Sequence, residues 1–246
     1  NYLNKKVVIG TWSLSGDFGN VKKKIIFKSL ETAVKKNFFE FDTAPTYGDG
    51  KMHEILSDVF KGNLKIKINT KCGYDQNKKK TFKIEDIKRS INDSLNKFGR
   101  INTLFLHNPR NEIKNFSKIL DFLNVYKKKK LINYIGISLA RDFYFEKKIM
   151  DRFDFLQDEI NLLRTKNIYL LKKYNAKIMA RSPFASGCLT GKINSKSRFG
   201  IGDYRYSWLN DKERLINILD QVNKVKKIIN LPLKIASKNF LFQNSQ

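Results

Sequence analysis

Short apolar runs recur along the chain and alternate with longer amphipathic or lysine-rich stretches. The runs are KVVIGTW at 6–12, FFEFDTA at 38–44, LKIKINTK at 64–71, INTLFLH at 101–107, YIGISLA at 134–140, FDFLQDEIN at 153–161 and AKIMARSP at 176–183. Between them lie helix-like segments at 22–36, 51–60, 84–98, 115–129 and 163–174, and a further one at 211–229. A strand followed by a helix, repeated, predicts βα units and a parallel sheet.

The repeats run on without a Pro/Gly-rich linker or a break in composition, so residues 1–246 are expected to form a single α/β domain built as a TIM-type (β/α)8 barrel. A doubly wound sheet is the structural alternative. A dinucleotide-binding sheet of that kind places G-x-G-x-x-G after its first strand, whereas Gly200-Ile201-Gly202 comes late and follows no strand.

In a barrel, the side chains that do chemistry sit at the C-terminal ends of the strands. Asp42, Lys71, His107 and Ser138 each end an apolar run, and Tyr47 follows Asp42 on a short loop. A buried lysine needs a carboxylate, which Asp42 offers. A cationic Lys71 beside Tyr47 is expected to lower the phenol's pKa and make it a proton donor near neutral pH. His107 is placed to orient a carbonyl oxygen or relay a proton. No protein nucleophile accompanies these groups, so hydride from a nicotinamide fits the pattern. Singly, each has a plainer reading as an ion pair or as packing. His53, in the helical segment Lys51-Met52-His53-Glu54, is expected on the surface. Cys72 is expected to face the helix layer, because Lys71 faces inward.

Composition changes this picture little. The formal charge is +26, from 49 Lys and Arg against 23 Asp and Glu. Lysines spread over nearly every segment read as a solvated surface, and runs such as Lys78-Lys79-Lys80 and Lys127-Lys128-Lys129-Lys130 fall at loop or helix ends. Nucleic acid is therefore an unlikely partner despite the charge. Cys72 and Cys188 have neither disulfide-framework nor metal-ligand spacing, so no metal is expected and the chain reads as reduced and cytoplasmic. No apolar run approaches the length of a membrane span, and the start lacks a signal-peptide core.

Taken together, the residues resemble the aldo-keto reductases. FEFDTAPTYGDGKMHEIL is similar to the family's Asp-Thr-Ala…Tyr-Gly…Glu stretch, INTKCG to its strand-three lysine motif, and LFLHNPR to its Leu-His-x-Pro motif. GTW, IGIS, Gln157 with Asn161, and ARSPFASGCLTGK follow in family order. The resemblance implies a (β/α)8 barrel that uses NADPH, with NAD not excluded, to reduce a small aldehyde or ketone or to oxidise the matching alcohol or sugar. It makes Tyr47 the general acid, Lys71 the residue that tunes it, Asp42 the lysine's partner and His107 the orienting group. Ser138 and Gln157 would hold the nicotinamide carboxamide, with Thr11 and Trp12 at the mouth. Ser182, Pro183, Phe184, Gly187 and Leu189 would follow the pyrophosphate.

Three departures stand out. Leu139 replaces the family's Asn after Ser138, and Arg181 stands where an aromatic residue often stacks on the nicotinamide. Arg181 either offers charge to a phosphate or an acidic substrate, or points outward into solvent. The eighth strand and last helix are expected to be missing from this chain, as in a fragment of a longer protein, which leaves NADP-versus-NAD preference unread. A catalytically weak or inactive nucleotide-binding regulatory barrel is the competing function.

Overall fold

The computed structural model describes residues 7–244. Seven strands form one parallel sheet in the order of the sequence: β1 (Ile9–Gly10), β2 (Glu40–Asp42), β3 (Lys67–Cys72), β4 (Ile101–His107), β5 (Ile132–Ser138), β6 (Phe155–Glu159) and β7 (Lys177–Arg181). This order never reverses, which excludes the doubly wound alternative. The sheet curls into a nearly closed barrel, and among the described residues β1 and β7 each pair with one neighbour only. Their exposure reflects this: Gly10 and Ala180 are exposed, whereas every residue of β4 before His107 is buried.

Helices α1 (Lys23–Lys35), α2 (Lys51–Phe60), α3 (Ile84–Phe98) and α4 (Phe116–Lys128) follow β1 to β4. Each buries one stripe at helical spacing, as Ile87 and Ile91 do on α3, and full burial of such side chains stabilises by about 2 kcal/mol each. Acidic Glu85 and Asp86 open α3, Lys97 lies in its last turn, and Gly99 with φ 70° stops it. The short α5 (Lys147–Met150) and α6 (Lys166–Leu171) follow β5 and β6, and α7 (Tyr206–Leu209), α8 (Lys212–Ile228) and α9 (Leu233–Gln243) follow β7.

The apolar core lies between sheet and helices. Leu104, Leu106, Ile135, Ile137 and Leu156 cluster with side chains of α3, α4, α5 and α6, and Phe41 and Ile68 with those of α1 and α2. A third cluster, with Cys188, Leu189, Leu209 and Leu215, lies under the loop after β7. The barrel interior is filled more sparingly. Phe105 projects inward over Gly136, where a Cβ would meet its ring at 2.5 Å. At the N-terminal end, Asn69, Asn102 and Asn133 hydrogen-bond in a chain to one another and to Glu40. That end is closed by polar packing, and the opposite end carries the candidate site.

Candidate active site

Strand alternation sends Asp42, Lys71 and His107 to the inner face, while their neighbours Phe41, Cys72 and Leu106 join the outer core. Lys71 is 2% exposed, and its Nζ donates to Asp42 Oδ2 at 2.7 Å and to Thr43 O at 2.9 Å. Burial works against the ammonium, yet Asp42 and Tyr47 outweigh it and raise the Lys71 pKa above its ordinary value. Asp42 is itself fixed on both oxygens, since Gln157 Nε2 donates to Oδ1 at 3.1 Å. Thr11 holds the strand end, both its backbone N–H and its hydroxyl donating to Asp42 O at 3.0 Å.

Tyr47 opens a 3-10 turn, Tyr47–Gly50, that folds back over the mouth. Its ring stacks on Trp12 with centroids 5.8 Å apart, and Lys71 Nζ lies 5.1 Å from its centre. Gly48 has φ 56°, and a Cβ there would meet Ser15 O at 2.4 Å, so this close crossing of two loops needs glycine. Asp17 ties the crossing together by accepting from Trp12 Nε1 and Ser15 Oγ at 2.8 Å and from Gly48 N–H at 3.4 Å.

Burial pushes the Tyr47 pKa above its ordinary value of 10.0, with Lys71 and Arg181 pulling against it and Asp42 adding to it. The expectation that Lys71 brings the phenol below that value is thereby corrected: the pull exists, but desolvation of the phenolate is larger. Tyr47 is a protonated donor at neutral pH. Burial, then Lys71, Arg181 and Lys80, hold His107 well below the usual imidazole range, so it is a neutral ring. Its Nδ1 is buried without a partner.

These groups line a cleft of about 2070 Å³ that runs from β4 and β5 across to the loop after β7. Trp12, Ser138, Gln157, Ser182, Pro183, Phe184 and Gly187 line it as well. Thr11 and Leu189 do not: Thr11 is buried against Asp42, and Leu189 packs into the cluster beneath the loop. Leu139 is also buried, but Asn108, which follows His107 with φ 52°, takes up the space beside Ser138. In its satisfied orientation the Asn108 amide nitrogen donates to Leu139 O and Ser138 O at 3.2 Å. Sequence reasoning missed Asn108, Asp17 and the aromatic wall of Phe18 and Tyr204 around Trp12. The Asn directly after the His of LFLHNPR was the available signal for Asn108.

The sequence profile of the Aldo/keto reductase family matches residues 6–242. This chain belongs to the aldo/keto reductase family. The aldo-keto reductase YhdN of Bacillus subtilis (strain 168) is 24% identical over 245 residues, covering 91% of this chain and 72% of that protein. The glycerol dehydrogenase AKR11B4 from Gluconobacter oxydans is similar in fold, with a TM-score of 0.77 and 21% identity over 98% of this chain and 80% of that one. The aldo-keto reductase AKR11C1 from Bacillus halodurans has a TM-score of 0.64 and 16% identity over 98% and 92%. Family membership implies an NAD(P)H-dependent oxidoreductase of carbonyl compounds.

The cleft fits such a dinucleotide on a feature of its own. Gln157 Oε1 is buried without a partner, an acceptor awaiting a donor such as a carboxamide N–H, and Ser138 at the end of β5 is its register partner. The loop Ser182–Gly187 has φ 55° at Ser182, 47° at Ala185, 54° at Ser186 and 100° at Gly187. Left-handed turns of this kind form concavities of backbone N–H suited to anions.

The remaining sequence expectations divide. His53 is buried, not exposed: its Nε2 lies 3.0 Å from Thr70 Oγ1, its ring packs edge-on to Phe98, and burial lowers its pKa to about 3. Cys72 lies in the outer core as expected, and burial raises the Cys72 and Cys188 thiols to about 12 and 11. Arg181 faces inward. Of the lysine runs, Lys127 is paired with Asp154 at 2.6 Å and Lys80 donates to Asn108 O at 3.0 Å. Among the described residues no His, Cys, Asp and Glu group could hold a metal ion, and no helix is long and apolar enough to cross a membrane.

Proposed function

We propose that this protein reduces an aldehyde or ketone with NAD(P)H, Tyr47 acting as the general acid. Ser138, Gln157 and Asn108 would hold the nicotinamide carboxamide, and Ser182, Pro183, Phe184 and Gly187 would line the path of the pyrophosphate. The nicotinamide, when bound, supplies the hydride.

Tyr47 donates its hydroxyl hydrogen to the carbonyl oxygen and releases the proton as negative charge grows there. Lys71 then stabilises the phenolate, and Asp42 keeps Lys71 cationic inside the barrel. His107, neutral, offers a ring N–H that fixes the direction of the carbonyl. The aromatic wall of Trp12, Phe18 and Tyr204 keeps water from the reacting oxygen. The observation that carries this reading is Lys71, buried and held between the Asp42 carboxylate and the Tyr47 ring. The raised Tyr47 pKa keeps the phenol protonated near neutral pH, the form that reduction uses.

A panel of aldehydes and ketones with NADPH and NADH, followed by loss of reduced-nicotinamide absorbance, tests the assignment. Turnover is the expected result. Tight NADPH binding without turnover of any carbonyl would identify a nucleotide-binding regulatory barrel instead.

A further inference from the structure

One cation at the mouth has no part in the proton chemistry. Arg181 is the last residue of β7, two positions beyond Met179, whose sulfur accepts from Gln157 Nε2 at 3.3 Å inside the barrel. Alternation therefore directs Arg181 inward as well, and it lines the cleft. Its register partner on β6 is Glu159, yet Glu159 Oε2 turns away to Arg141 and Arg164, at 3.8 and 3.9 Å. Arg181 Nη2 donates instead to Leu139 O at 3.1 Å, which pins the guanidinium beside the end of β5.

Ser138 precedes Leu139, Gln157 is the register partner of Met179, and Ser182 follows Arg181. The guanidinium thus stands among the residues proposed for the nicotinamide and for the start of the pyrophosphate path. The other buried or half-buried cations around the cleft have carboxylates: Lys71 has Asp42, Arg164 has Asp142, and Arg205 has Asp203. Arg181 has no carboxylate oxygen within ion-pair distance among the described residues, and its Nε is buried without a partner. Its positive charge is therefore not cancelled locally. Burial dominates the pKa of both Tyr47 and His107, and the Arg181 charge acts on both, so it is felt where the carbonyl would react.

We propose that Arg181 makes the site discriminate between the two oxidation states of the cofactor, holding the reduced nicotinamide tightly and the oxidised one weakly. This rests on the cofactor placement of the carbonyl-reductase reading. The two forms differ only at the ring: giving up hydride, a proton with two electrons, to the carbonyl carbon leaves the ring with one positive charge. An uncompensated guanidinium repels that charge, whereas its plane is attracted to a neutral, electron-rich ring. The pyrophosphate is common to both forms and cancels from the comparison. The consequence is selective loading with the reduced form and ready loss of the oxidised one, at the cost of a hydride step that is less downhill on the protein.

Calorimetric titration of the wild type, Arg181→Met, Arg181→Gln and Arg181→Lys with NADPH, NADP+, NADH and NAD+ tests this without turnover. In the pair it accepts, the wild type should bind the reduced member about 30-fold more tightly than the oxidised one, the scale of one partly screened charge pair. For a two-electron couple that ratio makes the bound potential about 45 mV higher than the free one. Arg181→Met and Arg181→Gln should each bring the ratio within about threefold, mainly by tightening the oxidised form, and Arg181→Lys should keep part of it, retaining charge without the planar fork. Equal affinity of the wild type for both forms would overturn the proposal. So would uncharged variants that weaken both forms together and leave the ratio unchanged, which would assign the guanidinium to the pyrophosphate. The proposal and the reading beneath it fail separately. The expected ratio with no carbonyl turned over keeps the proposal and removes the reductase reading, whereas carbonyl turnover with equal affinities does the reverse. Failure of the wild type to bind any of the four dinucleotides overturns both.

Discussion

Gln157 on β6 reaches across the barrel mouth to Asp42 on β2, Nε2 to Oδ1 at 3.1 Å. The amide proposed to receive the nicotinamide is therefore bonded to the carboxylate that holds Lys71. Replacing Gln157 with Leu should weaken NADPH binding about tenfold and lower kcat as well, because Asp42 loses one of its two side-chain partners. Fluorescence titration and steady-state kinetics measure the two effects. A change in Kd with kcat untouched would mean that the link carries no chemistry.

Tyr47→Phe should lower carbonyl reduction by about 10³-fold while leaving NADPH Kd within threefold, since only the acidic proton is removed. Wild-type-like turnover would end the general-acid assignment.

The Tyr47 pKa also sets a pH profile. Reduction should stay level through neutral pH and fall only above about 10, as the donor ionises, while alcohol oxidation should rise over that alkaline range. Rates of both directions across pH report it, and a reductive rate that falls between pH 7 and 8 would contradict the raised value.

Lys71→Met leaves Asp42 facing the interior without its cation and should destabilise the fold by about 3–5 kcal/mol. Adding Asp42→Asn to that variant should return part of the loss, because the unpaired charge is then gone. Urea denaturation of the single and double variants measures the difference.

His53 gives an acid limit to stability. Its pKa is lowered in the fold to about 3 from 6.5, so below pH 6.5 the unfolded chain binds a proton that the folded chain refuses. Its contribution is complete above pH 6.5 and is lost progressively as pH falls toward 3, by up to a few kcal/mol. His53→Gln should be less stable at pH 7 yet show a flatter decline over that window.

Much of this was readable from the residues. The helical segments expected at 51–60 and 84–98 are α2 and α3, and the strand ends placed Asp42, Lys71 and His107 on one face. His53 is the exception: Met52, His53, Leu56 and Phe60 make one buried helical stripe, and only the polarity of the imidazole suggests the surface. The inward turn of Arg181 follows from β7 alternation once Met179 is known to be inside, which a single strand cannot reveal by itself. Asp17 was hidden because its hydrogen bonds join loops distant in sequence. The balance at Tyr47 needed the degree of burial, which no motif encodes.

Among the described residues β1 and β7 each have one strand neighbour, and the ends of both border the cleft. β1 leads into Trp12, β7 leads into Ser182, and the cleft spans the gap between them. A dinucleotide lying along that cleft would touch the ends of both strands at once. Amide exchange should then slow most on saturation with NADPH at Gly10 and Ala180, residues far apart in sequence whose protection would rise together.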